Sequence, residues 1–307
     1  MKNTLKDLYD INAKSLLKYT NKVYKVKSDD NNEYCLKYSD NEINNKVVEK
    51  INTLKLNDSF VMPFTTCIRN IRAKKDERYF YMSEWVEDDL IESKDLKIKF
   101  YLNQIANMHL KTLYTTNVSS TYFSELTMQI EESIQESYQK YDAIIYSIER
   151  KEYKSPFEWY FVYNYKNIIE SLDKSKKYLD KLKELTKNKS TIRQTITHQN
   201  FSYDHVFISK NKIIGNDKIK ISPPIFDLIY LFNYISYGNI DLSGIINEYL
   251  NIFKLEEYEI YWMLSLLYIV DFIQFNDNEF NNINSFMKLL FKYKCINEIE
   301  ELLITKK

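Results

Sequence analysis

The chain predicts an α+β protein, with a small β-rich amino-terminal part at 1–87 and a larger, mostly helical part at 88–307. Three observations predict it. Runs of β-forming residues crowd the amino-terminal part, whereas from Leu96 onward apolar residues recur at helical spacing in long segments. Hydrophobic residues make up 44% of the chain and aromatic residues 15%, enough to pack a core. A chain of 307 residues can bury one large core or two modest ones.

In chain order, residues 2–19 carry Leu5, Leu8, Ile11, Leu16 and Leu17 at roughly helical spacing. Residues 22–27 and 33–38 interleave apolar and polar β-formers around the polar run Ser28-Asp29-Asp30-Asn31-Asn32, a hairpin pattern. Residues 41–56 read as a helix with Ile43, Val47, Val48, Ile51 and Leu54 on one side. Residues 67–72 and 78–82 read as strands, and the boundary between the two parts falls near Glu87-Asp88-Asp89. Helices follow at 100–113, 123–148 and 160–185. Short strands return at 195–196, 206–208 and 212–214, and the chain is helical after Asp227.

Charge excludes some functions. Lys+Arg and Asp+Glu number 43 each, so no global basic field exists to bind nucleic acid or an anionic membrane. Cys35, Cys67 and Cys295 lie too far apart in sequence for metal-ligand spacing or a disulfide framework, which points to folding in a reducing cytoplasm. The first residues lead into no apolar signal segment. The longest apolar stretch, 262–273, is broken by Ser265 and Asp271 and is too short to span a membrane.

The most informative run is His198-Gln199-Asn200-Phe201-Ser202-Tyr203-Asp204-His205-Val206-Phe207-Ile208. It is followed by Ile213-Ile214-Gly215-Asn216-Asp217 and then by Pro223-Pro224-Ile225-Phe226-Asp227-Leu228. Upstream stand Tyr34-Cys35-Leu36-Lys37, Tyr81-Met82-Ser83-Glu84-Trp85-Val86 and Leu102-Asn103-Gln104-Ile105-Ala106-Asn107-Met108-His109. In this order the motifs resemble the spore coat protein S-like branch of the aminoglycoside phosphotransferase/choline kinase superfamily of endospore-forming bacteria. They span Tyr34 to Leu228, most of the chain. The resemblance implies a bilobal protein-kinase-like fold. For that branch it implies synthesis in the cytoplasm and a place in the spore coat, among other spore coat proteins.

In such kinases the loop reads His-Gly-Asp, with Asn five residues after the Asp, then a strand, an Ile-Asp-Phe-Asp-like turn and a Pro-x-x-Asp-Leu helix start. Asn200 stands where the catalytic Asp would be, and an amide has no proton-accepting state near neutral pH. His205 stands where the Asn would offer Mg²⁺ an oxygen, and it offers nitrogen to a hard ion. Gly215 stands where the second metal ligand would be and has no side chain. The reading is a degenerate kinase with no catalytic residues and no bound metal. It requires no cofactor, while leaving room for ATP without Mg²⁺.

The remaining candidates have both functional and bland readings. Lys37 is placed to contact nucleotide phosphates, with Glu49, twelve residues on, as its partner; a solvated Lys and an exposed Glu are the bland alternative. Glu84 and Trp85 occupy the stretch that would meet an adenine, against a simple crossover with Trp85 packed in the core. His198 reads as structural and His109 as a satisfied core histidine. Asp227 reads as structural too, satisfying free N–H groups at its helix start. No Gly precedes Gly215, so the hairpin turn lacks the residue that lets backbone approach phosphate. Asp204 and Asp217 are the acids with which an ATP-dependent small-molecule phosphotransferase would retain residual activity, the alternative function.

Overall fold

A computed structural model describes all residues except 40–44, 88–90, 92, 236–241, 272, 274, 277 and 306–307. In chain order the elements are α1 Lys2–Tyr9, β1 Ala13–Lys18, β2 Val23–Ser28, β3 Glu33–Tyr38, α2 Asn45–Thr53, β4 Ala73–Lys75, β5 Arg78–Glu84 and α3 Lys94–Thr112. Then come β6 Tyr114–Asn117, α4 Tyr122–Glu149, α5 Pro156–Thr186, β7 Thr191–Thr197, β8 Val206–Phe207, β9 Lys212–Ile213 and β10 Lys220–Ser222. The chain finishes with α6 Ile225–Ile235, α7 Leu242–Ile252, α8 Glu257–Leu267 and α9 Glu279–Thr305.

These elements form two compact units, one of Met1–Leu113 with Gln194–Asp227, the other of Tyr114–Arg193 with Leu228–Lys307. This partition differs from a division at residue 87, and Asp88 and Asp89 of the expected boundary lie outside the described residues.

The first unit is built on an antiparallel sheet of order β1-β2-β3-β5-β4. Its buried cluster is Leu5, Val26, Leu36, Ala73, Phe80 and Met82. The helix expected over 2–19 ends at Tyr9, because Asp10 turns left-handed at φ 55° and its N–H closes on Leu5 and Lys6 carbonyls. Residues 13–18 are instead the first strand, with Leu16 opposite Val26. The strand expected at 67–72 is absent; it lies at Ala73–Lys75, paired with β5. The helix expected at 41–56 is described from Asn45 to Thr53, its first residues lying outside the described set.

In the second unit α5 packs against α4, α8 and α9. The buried residues of α4 recur every three or four positions from Phe123 through Thr127, Ile130, Ile134 and Ser137 to Tyr141, and again two turns on at Ile148, the stripe one helix face requires. Helix α5 starts where Ser155 accepts from the Glu158 N–H and Glu158 accepts in return from the Ser155 N–H, a reciprocal cap with Pro156 at the first helical position. Arg193 clamps the fully buried Glu259 through Nε at 3.1 Å and Nη2 at 2.5 Å.

Candidate functional site

Lys37 lies on β3, between β2 and β5. Its ammonium reaches Asp217 Oδ1 at 2.8 Å, and Ser39 Oγ donates to Asp217 Oδ2 at 3.0 Å. Tyr81 on β5 donates to the same carboxylate at 3.4 Å, and burial beside that charge raises its phenol well above the ordinary range. The partner expected for Lys37 was Glu49. That carboxylate is instead exposed on α2, and Asp217, 4% exposed, takes its place.

The loop after β7 is anchored by Asp227. Its carboxylate accepts from the backbone N–H groups of His198 (3.0 Å) and Gln199 (2.6 Å) and from His109 Nε2 at 2.9 Å. Asp227 therefore holds the loop, rather than the N–H groups of its own helix as the sequence suggested. Gln199 occupies the position of the glycine in the kinase pattern and adopts φ 48°, a left-handed conformation costly for a residue with a Cβ. Two side-chain bonds, to Thr197 Oγ1 at 3.0 Å and Ser222 Oγ at 2.8 Å, hold it there. His198 is fully buried between Tyr101 OH (3.1 Å) and the Ile214 carbonyl (3.3 Å), and burial pulls its imidazole down to about 4.

The three replaced positions bind one another. Asn200 Nδ2 donates to the Gly215 carbonyl at 2.6 Å, and His205 Nδ1 donates to the Asn200 carbonyl at 2.8 Å. Gly215 has φ +80°, and a Cβ there would stand 2.9 Å from both Asn200 Nδ2 and the His205 ring. The missing side chain is thus what lets the other two close over it. Asn216, beside it, is buried and donates to the Val61 and Ile213 carbonyls.

A cavity of about 820 Å³ opens within the first unit. Lys37, Cys35, Tyr81, Ser83, Glu84, Trp85, Lys97, Asp204, His205 and Gly215 contribute to its wall, together with the turn Tyr19-Thr20-Asn21-Lys22. Trp85 is half-buried at this wall, edge-on to Tyr19 at 5.2 Å and under the Lys25 ammonium at 5.0 Å, not packed in the core as the bland reading had it. Glu84 is paired with Lys212 at 3.2 Å. Burial pushes the Cys35 thiol up to about 11, so it is protonated at neutral pH.

The turn at 19–22, between β1 and β2, was missed in the sequence because Leu16 and Leu17 were read with the preceding helix. Asp10 and Asn12 were the available stop signal. The turn replaces the 28–32 hairpin as the one facing the cavity. Four N–H groups of this stretch are spent internally: Tyr19 and Thr20 donate to the Val23 carbonyl, and Lys22 and Val23 donate to Thr20 Oγ1. The sequence reading singled out neither Ser39 nor Lys97, whose ammonium holds the Tyr203 carbonyl at 2.9 Å, and it placed Tyr81 in a motif without its bond to Asp217.

Magnesium needs several oxygen ligands in octahedral array, and at the two positions where the kinase pattern supplies side-chain oxygens this chain has His205 and Gly215, which bring none. Among the described residues no three His, Cys, Asp or Glu side chains gather as a metal-holding group.

Known structures resemble this arrangement. A crystal structure of aminoglycoside phosphotransferase from Alicyclobacillus acidocaldarius subsp. acidocaldarius matches with TM-score 0.63 at 12% identity, over 95% of this chain and 91% of that one. The fold is that of an aminoglycoside phosphotransferase. Spectinomycin phosphotransferase, solved with AMP, matches this kinase-like bilobal fold with TM-score 0.56 at 13% identity, over 100% and 98% of the two chains. The same enzyme with ADP and spectinomycin gives 0.54 at 13%, over 99% and 97%. No family model matches the chain, and no curated protein sequence does. Among the described residues no helix is long and apolar enough to cross a membrane.

Proposed function

We propose that this chain is a kinase-like protein without phosphoryl-transfer activity that serves as a structural or interaction component of the bacterial spore coat. The knot of Asn200, His205 and Gly215 carries the first half. Phosphoryl transfer relies on positioning and on metal-borne charge neutralisation. Here the carboxylate that would orient the nucleophile is an amide bonded to Gly215, and neither metal position offers a side-chain oxygen. The motif resemblance supports the second half: made in the cytoplasm, the protein would join other coat proteins. The cavity has the volume for a nucleotide, and spectinomycin phosphotransferase was solved with AMP and with ADP. A nucleotide held here would be held without magnesium.

One observation favours a second reading, a residual ATP-dependent phosphotransferase: Asp204 lines the cavity. Asp217, the other acid considered, is tied to Lys37. Release of ADP from ATP and Mg²⁺, measured over a panel of amino- and hydroxyl-bearing ring compounds, separates the two. The proposal expects no turnover. The second reading expects turnover that survives Asn200→Ala and is lost in Asp204→Asn. A tagged copy in an endospore-forming host should appear in the coat fraction of purified spores; a protein confined to the cytosol would overturn the coat assignment.

A further inference from the structure

The second unit holds a cavity of its own, of about 260 Å³, where α5, the end of α8 and α9 converge. Every residue of its wall belongs to that unit. Ser171 and Lys174 stand one turn apart on α5, and Leu290, Lys294 and Asn297 recur at helical spacing on α9, so each helix turns one face to the cavity. Ser171 is small, and its Oγ is committed to the Tyr268 carbonyl at 2.9 Å, which leaves the space that a larger side chain would fill.

The back wall is a fixed polar network. Lys174 Nζ donates to Asn297 Oδ1 at 2.8 Å, to Glu300 Oε2 at 2.7 Å and to Tyr268 OH at 3.4 Å. Burial opposes charge on Glu300, yet the bonds from Lys174, Tyr178 and Tyr268 hold its carboxyl below the usual range. Glu300 is therefore ionised at neutral pH and matches the charge of Lys174. An ammonium only donates, so the Asn297 atom beside it is the oxygen, and the orientation of the amide is settled. Tyr268 OH donates to the same oxygen at 2.6 Å. Asn297 thus spends its acceptor on the network, and its Nδ2 hydrogens meet no acceptor among the described residues. Two further charges stand at the wall. Glu170 is paired with Lys166 at 3.2 Å. Lys294, exposed and three residues before Asn297, forms no ion pair among the described residues. The wall is left with one unmatched cation and an amide donor on the same helix face.

We propose that this cavity is a receptor for a small organic monoanion, a carboxylate of the size of benzoate, held by Lys294 Nζ and Asn297 Nδ2. One unmatched cation suits a single negative charge; a phosphate group, with about 1.5 to 2 negative charges at neutral pH, exceeds it. A carboxylate accepts on both oxygens, so it can take one bond from the ammonium and one from the amide. Leu290 and the rings of Tyr268 and Tyr293 give its body an apolar wall. An apolar cavity of about 150 Å³ takes up benzene, so the 260 Å³ here admits a ring together with its carboxylate. The inference uses no residue of the first unit and does not depend on the non-catalytic reading.

The test is calorimetric titration of the full chain near pH 7.5 with benzoate, with benzamide, its uncharged counterpart, and with inorganic phosphate, a head without a body. Lys294→Met, which removes the cation, Lys294→Arg, which keeps it, and Leu290→Trp, which fills the apolar wall, are titrated alongside. The expected result is saturable binding of benzoate about tenfold or more tighter than of benzamide or phosphate. Lys294→Met should weaken it about tenfold, and Lys294→Arg should bring it back to within about threefold of the natural chain. Leu290→Trp should abolish it. Should Leu290→Trp fail to fold, the Lys294 pair decides, since that side chain is exposed and its replacement leaves the packing alone. Benzoate that fails to saturate, benzamide or phosphate that binds as tightly, or indifference to Lys294→Met would each overturn the proposal.

Discussion

A Cβ on Gly215 would crowd both Asn200 and His205 at 2.9 Å in a left-handed backbone. Restoring an acid there by Gly215→Asp should therefore cost about 1–3 kcal/mol, read by urea unfolding, and should restore no transfer. Adding His205→Asn removes the ring that the new side chain meets. The pair should be less destabilised than the sum of its parts, a coupling that a double-mutant cycle measures. His198 sets a pH dependence. Its imidazole is held near 4 in the folded chain against about 6.5 when unfolded. As pH falls through that window the unfolded chain takes up a proton that the folded chain refuses, so stability is lost there and is unaffected above it. The loss should approach ~3 kcal/mol by about pH 4. Urea unfolding at several pH values should show this slope, and His198→Gln should flatten it.

At the scale of elements, buried carboxylates hold the joints. Asp227, 1% exposed, ties the loop at 198–199 to α3 through His109. Asp227→Ala leaves two backbone N–H groups and a ring nitrogen unpaired, and should cost about 3 kcal/mol or more in chemical denaturation. Arg193→Ala strands the buried Glu259 charge between β7 and α8 and should cost about 3–5 kcal/mol. How far such joints were legible depends on sequence distance. The long helices α4 and α5 were plain, because their buried stripes repeat every three or four residues. The three replaced positions were legible through their spacing around His198 and Asp227. Lys37 could be placed on its strand, but its partner could not: Asp217 lies 180 residues away, and Glu49 offered a nearer acid. The turn at 19–22 stayed hidden because β1, Ala-Lys-Ser-Leu-Leu-Lys, lacks the alternation of a half-buried strand. The bonds of Tyr81 and Ser39 to Asp217 left no trace, since a hydroxyl that steadies a carboxylate looks in sequence like any other.

For the whole molecule, the account joins a phosphotransferase fold to a centre closed on itself. The fold supplies the sheet, the cavity and the loop anchored by Asp227. Asn200, His205 and Gly215 use their hydrogen bonds on one another, the arrangement on which the proposed non-catalytic reading rests. The central claim is that this cavity has no place for a metal-bound triphosphate. The most direct test is the melting temperature of the full chain with millimolar ATP, with and without Mg²⁺. A ligand at about 100 times its dissociation constant adds about 2.7 kcal/mol, a readily visible shift. The account predicts that Mg²⁺ adds nothing to whatever ATP does alone. A stabilisation that appears only when ATP and Mg²⁺ are both present would contradict it.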